Sequence, residues 1–242
     1  MTIFHIITLF PESLESYLNS SIVKRAKEDG YITIKYYNPR DYALPRRSSS
    51  LRAKAGNTSN IGSEMTYAER RVDNKPYGGG PGMVIEALPV IRAIENAVGR
   101  KLKGKGKGKV KIIFFSPSGK QFTNAVADLW KKYTDIVLVC GRYEGIDARV
   151  KKAFPMMDIS VGPFTLTGGE LPAMIVLDAV TRRIEGVLGD KLSIEEMRVA
   201  SPDVYTRPEI IEYKKKKYRV PKVLLSGHKK NIEEWKRGKR SQ

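Results

Sequence analysis

The chain has 242 residues, 41% of them hydrophobic, enough to build one large domain or two modest ones around a real core. Forty-four Lys and Arg against 26 Asp and Glu leave a formal charge of +18, which points to a polyanionic partner, nucleic acid or an acidic surface. One cysteine, Cys140, rules out an intrachain disulfide framework, and with two histidines there is no zinc motif; no run reaches the roughly 20 apolar residues of a membrane span, so a soluble, cytoplasmic protein is expected.

Residues 2–9 are β-branched and aromatic and predict a strand, stopped by Pro11. Leu14, Tyr17, Leu18 and Ile22 recur at helical spacing up to Gly30, which predicts one helix. Residues 31–37 alternate as a strand. The resulting β-α-β unit predicts a right-handed crossover and a parallel sheet. From Asn38 to Gly82, four prolines, a serine run and Pro76-Tyr-Gly-Gly-Gly-Pro-Gly82 predict a long functional loop. A helix over 86–98 follows, then a solvated Lys/Gly excursion over 101–109. Residues 111–115 predict a strand, and 124–133 a helix with Val126, Leu129, Trp130 and Tyr133 on one face. Residues 135–140 predict a buried strand, since Asp135 opens a continuous apolar run over 136–140 of the kind parallel sheets carry. A strand near 159–161 and a buried helix over 170–184 complete the domain, expected to span 1–189. Residues 190–201 read as a linker and 202–242 as a basic domain, with lysine runs at 214–217 and 229–230.

Ligands in open α/β sheets bind at the carboxyl ends of the strands. Three glycine-bearing turns fall there, at 116–119, 141–145 and 162–169. None is a dinucleotide fingerprint or a P-loop, and each singly is as readily a turn that needs φ > 0. Three in succession point to one nucleoside-type pocket, since glycine lets the backbone approach a ligand closely. Arg142 and Glu144 stand at a strand end, a pair that alone reads as a surface salt bridge. Against the +18 balance, the basic C-terminal segment reads as a phosphate-contacting surface. Cys140, after three apolar residues, reads as an inert core thiol, His5 as structural and His228 as an exposed nucleic-acid contact.

Several motifs together are more specific: Pro76-Tyr-Gly-Gly-Gly-Pro-Gly-Met83, Val139-Cys-Gly-Arg-Tyr-Glu-Gly-Ile-Asp147, Leu166-Thr-Gly-Gly-Glu-Leu-Pro-Ala173, Gly186-Val-Leu-Gly189, Tyr205-Thr-Arg-Pro-Glu209 and Val223-Leu-Leu-Ser-Gly227. With them the chain closely resembles the TrmD family, bacterial tRNA (guanine-N1)-methyltransferases of the SPOUT class, from Phe4 to about Trp235. The resemblance implies a SPOUT-type parallel sheet with a deep trefoil knot, a small helical C-terminal domain, and a homodimer with sites between subunits. It implies methyl transfer from S-adenosylmethionine to N1 of guanine 37 of tRNA. The adenosyl pocket would then comprise Phe115, Ser116, Pro117, Gly119, Gly141, Tyr143, Gly145, Val161, Gly162, Pro163, Phe164, Thr165, Leu166, Gly168 and Gly169. Where relatives carry Gly-Asp-Tyr, this chain has Gly162-Pro163-Phe164, so contacts through that carboxylate or hydroxyl are lost.

By the same resemblance Arg182 stabilises charge developing on guanine O6, and Glu144 contacts the guanine. It also implies a carboxylate general base in or just after the 190–201 segment. Ungapped alignment puts Met197 at its place and a one-residue gap puts Glu196 there; Glu196 is the first choice, Glu195 the second and Asp203 the third. Pro81, Gly82, Arg207, Ser226, Gly227 and His228 would contact tRNA, with the lysine runs on its backbone. Magnesium is an ion the resemblance allows, although no carboxylate cage is evident for it. An insertion at 48–67 and a short C-terminal segment depart from the family pattern. The alternative is an RNA-binding relative that has lost the general base; an NAD-type oxidoreductase lacks the fingerprint.

Overall fold

The computed structural model describes residues 1–43, 70–102, 104, 108–189 and 203–240. Two compact units emerge, Met1–Val187 and Leu188–Gln242. The first is an α/β fold on a five-stranded parallel sheet. Its strands are β1 (Thr2–Ile7), β2 (Ile32–Tyr37), β5 (Val110–Gln121), β6 (Asp135–Val139) and β7 (Met157–Ser160), in the order β2-β1-β6-β5-β7. All five residues of β6 are buried, as expected of a strand covered on both faces. The period of two divides it. Ile136 and Leu138 join the core formed with Phe4, Ile6, Leu14 and Trp130, whereas Val137 and Val139 join Ile7, Val90 and Ile94 on the opposite face.

Helices α1 (Glu12–Leu18), α2 (Ser21–Glu28), α4 (Asn124–Trp130) and α6 (Glu170–Thr181) contribute to the first core, and α3 (Ala87–Leu102) and α5 (Arg149–Ala153) to the second. The single helix expected up to Gly30 is two, because Ser20 is extended (φ −123°, ψ 155°). That break re-aims the chain: Val23 and Ala26 are buried, and Tyr17 is exposed. Helix α3 runs further than the spacing predicts and takes Lys101 into its last turn. Leu129 of α4 faces solvent rather than the core that holds Val126 and Trp130. A short antiparallel pair, β3 (Asp73–Asn74) and β4 (Val84–Ile85), closes the long loop region. The 48–67 insertion and the 190–201 linker lie outside the described residues.

In the second unit β8 (Ile210–Tyr213) and β9 (Lys216–Arg219) form an antiparallel hairpin, followed by α7 (Lys222–Leu225) and α8 (Lys229–Arg240). The purely helical expectation is corrected here: the β-favouring Ile210, Ile211, Tyr213 and Tyr218 pair across a turn in which Lys214 and Lys215 both have positive φ. Tyr205 and Trp235 approach ring to ring, with centroids 6.2 Å apart. Among the described residues no helix is long and apolar enough to cross a membrane.

Candidate functional site

Three strands deliver their carboxyl ends to one place. Strand β5 shifts register between Phe115 and Lys120, so that Ser116–Gly119 bulges out of the ladder while both flanks pair with Ile159. Gly119 permits this: a Cβ there would lie 2.5 Å from the Ile159 backbone nitrogen. After β6, Gly141 accepts a hydrogen bond from the Gly169 N–H at 2.9 Å, and Arg142 bridges to Gly168. The 162–169 turn is thereby laid against the 141–145 turn. Gly169 is required at this crossing, because a Cβ would stand 2.6 Å from the Cys140 Cα.

These turns enclose a cavity of about 470 Å³, within the range of small-molecule sites. Of the residues assigned to the adenosyl pocket, all but Gly119 and Pro163 line it. Gly119 lies behind the wall, against β7. Phe164 folds its ring onto Gly162. Glu144 is on the rim, exposed, and its N–H donates to the Met83 carbonyl at 3.0 Å. Ile85 and Asp147 continue that ladder, so the Pro76–Gly82 loop is anchored beside the cavity. Gly82 (φ +85°) packs directly on the Glu144 side chain.

The structure pairs Arg142 with Glu170 rather than with Glu144, and adds Thr8 and Lys151, which sequence reasoning missed. Arg142 Nε lies 2.9 Å from Glu170 Oε2, in contact as charges although the N–H is not aimed at that oxygen. Thr8 donates to Glu170 Oε1 at 2.7 Å, and the Arg142 guanidinium sits 4.7 Å from the centre of the Phe10 ring. Lys151, also on the cavity wall, lies 4.2 Å from the Phe114 ring centre and bonds Asp158 at 2.5 Å. The one signal for this cluster was a charged Glu170 opening an otherwise apolar segment. His5 is buried in the middle of β1. Burial holds it below the ordinary histidine range despite Asp135. Its Nε2–H therefore donates to Asp135 Oδ1 (2.9 Å), which leaves Nδ1 to accept the Tyr37 hydroxyl (3.1 Å). Cys140 is buried and its thiol is pushed well up by burial, an inert group.

Arg182 is not among the residues that line this cavity. Arg182 caps the far end of α6, about 18 Å along a 12-residue helix from the cavity-lining Gly169. Glu195 and Glu196 lie outside the described residues. Asp203, Arg207, Ser226, Gly227 and His228 are exposed in the second unit, and the Ser226 hydroxyl accepts from the His228 N–H at 3.3 Å. Pro81 is exposed in the loop beside Glu144.

A parallel sheet whose strand-end turns enclose a cavity of this size, in a sequence with neither dinucleotide fingerprint nor P-loop, defines an open α/β protein with a candidate ligand site at its strand ends. The chain belongs to the tRNA (Guanine-1)-methyltransferase TrmD family, whose pattern matches residues 1–57 and 63–242. It is 37% identical over 236 residues to the tRNA (guanine-N(1)-)-methyltransferase of Moorella thermoacetica, covering 96% of this chain and 82% of that protein. With the enzyme of the same name from Caldanaerobacter subterraneus it shares 40% identity over 244 residues, covering 98% and 86%. The crystal structure of tRNA (m1G37) methyltransferase from Aquifex aeolicus is similar with a TM-score of 0.70 at 33% identity, over 99% of this chain and 89% of that one.

Proposed function

We propose that this protein transfers a methyl group from S-adenosylmethionine to N1 of the guanine at position 37 of tRNA. The observation that carries the reading is the three-turn cavity with the Glu144 carboxylate on its rim, in a chain of this family. The fit to the donor rests on residue types: Gly141, Gly145, Gly168 and Gly169 open the backbone to an adenosyl group, and Phe115, Ile159 and Leu166 supply apolar wall. S-adenosylmethionine, when bound, supplies an electrophilic methyl on a sulfonium. The N1–CH3 bond forms as the S–CH3 bond breaks, and the N1 proton passes to a base.

Guanine N1 is protonated and a weak nucleophile at neutral pH, so a carboxylate has to take that proton; Glu196 is assigned this role, ahead of Glu195 and Asp203. Glu144 holds the guanine, and Arg182 stabilises the charge that grows on O6. The base leaves its stack to reach the donor. Since Arg182 sits a full helix away from the cavity of its own chain, it serves the cavity of a second copy in a homodimer. Leu171 and Ile175, exposed one turn apart on α6 ahead of Asp178 and Arg182, supply an apolar stripe for that contact. The 1–189 region is the catalytic domain, knotted through its strand-end turns, and 202–242 is the tRNA-binding domain. Among the described residues no three His, Cys, Asp or Glu side chains converge to hold a metal.

The test is label transfer from S-adenosylmethionine to unmodified tRNA bearing guanine at position 37, beside a transcript with adenine there. Label in the first only, recovered as N1-methylguanosine, supports the proposal. No label in either, with tRNA binding retained, overturns it in favour of an RNA-binding relative without a base.

A further inference from the structure

Among the described residues neither face of the β8–β9 hairpin is covered. All eight strand residues are exposed, although Ile210, Ile211, Tyr213 and Tyr218 are of the kind that normally forms a core. The register places Ile211 opposite Tyr218 and Tyr213 opposite Lys216, so these four share one face, and Ile210, Glu212, Lys217 and Arg219 share the other. On the first face Tyr213 is 62% exposed and Tyr218 44%. Each ring has a lysine ammonium at 5.4 Å from its centre, Lys214 for Tyr213 and Lys216 for Tyr218. A two-stranded ribbon with no covered face is marginal by itself and is expected to gain a partner.

Charge complementarity selects that partner. From Arg207 to Lys222 inclusive there are seven basic residues and two acidic ones. Open aromatic faces interleaved with lysines match unpaired nucleotides, whose bases stack on rings while their phosphates meet ammonium groups. We infer that the Ile211–Tyr213–Tyr218 face of the hairpin is a stacking platform for unpaired tRNA bases, with Lys214 and Lys216 on the flanking phosphates. The inference rests on the tRNA reading above and adds a specific recognition element to it. A second copy of the chain or another protein on this face is the rival outcome.

Binding of the G37 transcript to the full-length protein is compared for the parent, Tyr213→Ala, Tyr218→Ala and the two Tyr→Phe variants, alongside a blunt RNA duplex. Each Tyr→Ala is expected to weaken transcript binding at least about 5-fold, the low end for one stacked base, while Tyr→Phe stays within about 2-fold and duplex binding is unchanged. The salt slope should stay constant in the tyrosine variants and fall by about one per lysine in Lys214→Gln and Lys216→Gln. Unchanged affinity in Tyr→Ala, or equal loss in Tyr→Phe, overturns the platform. A check that needs no folded variant is photocrosslinking of the parent protein to transcripts with 5-bromouracil at unpaired loop positions. Adducts on Tyr213 or Tyr218 support the inference; adducts only elsewhere, or loss of a dimer in the Tyr→Ala variants, overturn it. A parent protein that methylates the transcript while Tyr→Ala changes nothing sinks this inference alone, whereas a parent that neither binds nor methylates sinks the tRNA reading.

Discussion

Arg142 and Glu170 lie 28 positions apart and meet charge to charge, Nε 2.9 Å from Oε2, with the Glu170 side chain 4% exposed and Arg142 25%. The contact fastens the 141–145 turn to the first turn of α6, and Thr8 completes it from the end of β1. Glu170→Gln keeps the Thr8 contact and strands the guanidinium. Breaking a fully buried pair costs roughly 3–5 kcal/mol; with Arg142 a quarter exposed, a loss of about 1–3 kcal/mol is expected. Urea unfolding measures it, and calorimetry should show weaker S-adenosylmethionine binding in step, because both turns wall the cavity. Stability lost with binding intact would mean the pair serves the fold alone.

Gly169 and Gly119 are held by backbone contact rather than by positive φ. Gly169→Ala and Gly119→Ala each force a Cβ to within 2.6 Å or less of another segment's backbone, an overpacking expected to cost about 1–3 kcal/mol. Gly238→Ala in α8 meets nothing within 4 Å and should stabilise by about 0.5–1 kcal/mol. Thermal denaturation of the three variants separates the two cases.

Acid should weaken the fold in two stages. Burial holds His5 below its ordinary 6.5, so the unfolded chain binds that proton more readily and the His5 contribution, full above that value, is lost as pH falls below it. Burial alone would raise Asp135, but hydrogen bonds from Lys101, His5 and Thr134 outweigh it and hold the carboxyl below 3.8. Its contribution is full above 3.8 and is lost as pH falls through the depressed folded value. Urea midpoints measured from about pH 8 to pH 3 should decline in both windows, and Asp135→Asn should remove the lower one. A flat profile between about pH 8 and pH 5 would rule out a buried neutral His5.

The proposed sharing of sites between copies predicts complementation. Glu144→Ala and Arg182→Ala should each be inactive alone. Unfolded together and refolded as a mixture, half of the dimers are mixed and each holds one intact site, about a quarter of parental activity. No recovery would place both residues in one chain's site.

The linker carboxylate is tested by kcat. Glu196→Gln should lower it by roughly 10²–10⁴-fold with S-adenosylmethionine binding unchanged, and Glu195→Gln should change it little. The reverse order would reassign the base.

Much of the framework was legible in the residues. Strand β6 is visible as an unbroken apolar run, and the 141–145 and 162–169 turns as glycine clusters after strands, because burial on both faces and backbone crowding each leave a local mark. Less legible were boundaries: Ser20 splits a helix that spacing alone continues, and Leu129 keeps helical period while facing water. The hairpin around Lys214 and Lys215 was hidden because neither residue is a usual turn former, and its strands carry no buried alternation to betray them.

By itself, the sequence determined the parallel sheet and the glycine-bearing turns at its strand ends, and set the expectation of a polyanionic partner, since each follows from short-range period, backbone need or total charge. Tertiary structure decided which distant groups meet: Thr8 with Glu170, Glu144 with Gly82, His5 with Asp135, and Arg182 away from its own cavity. Those pairings depend on which strand ends and loops the topology brings together, and a buried charge is stabilised only by the partner that topology supplies, a relation no local pattern encodes.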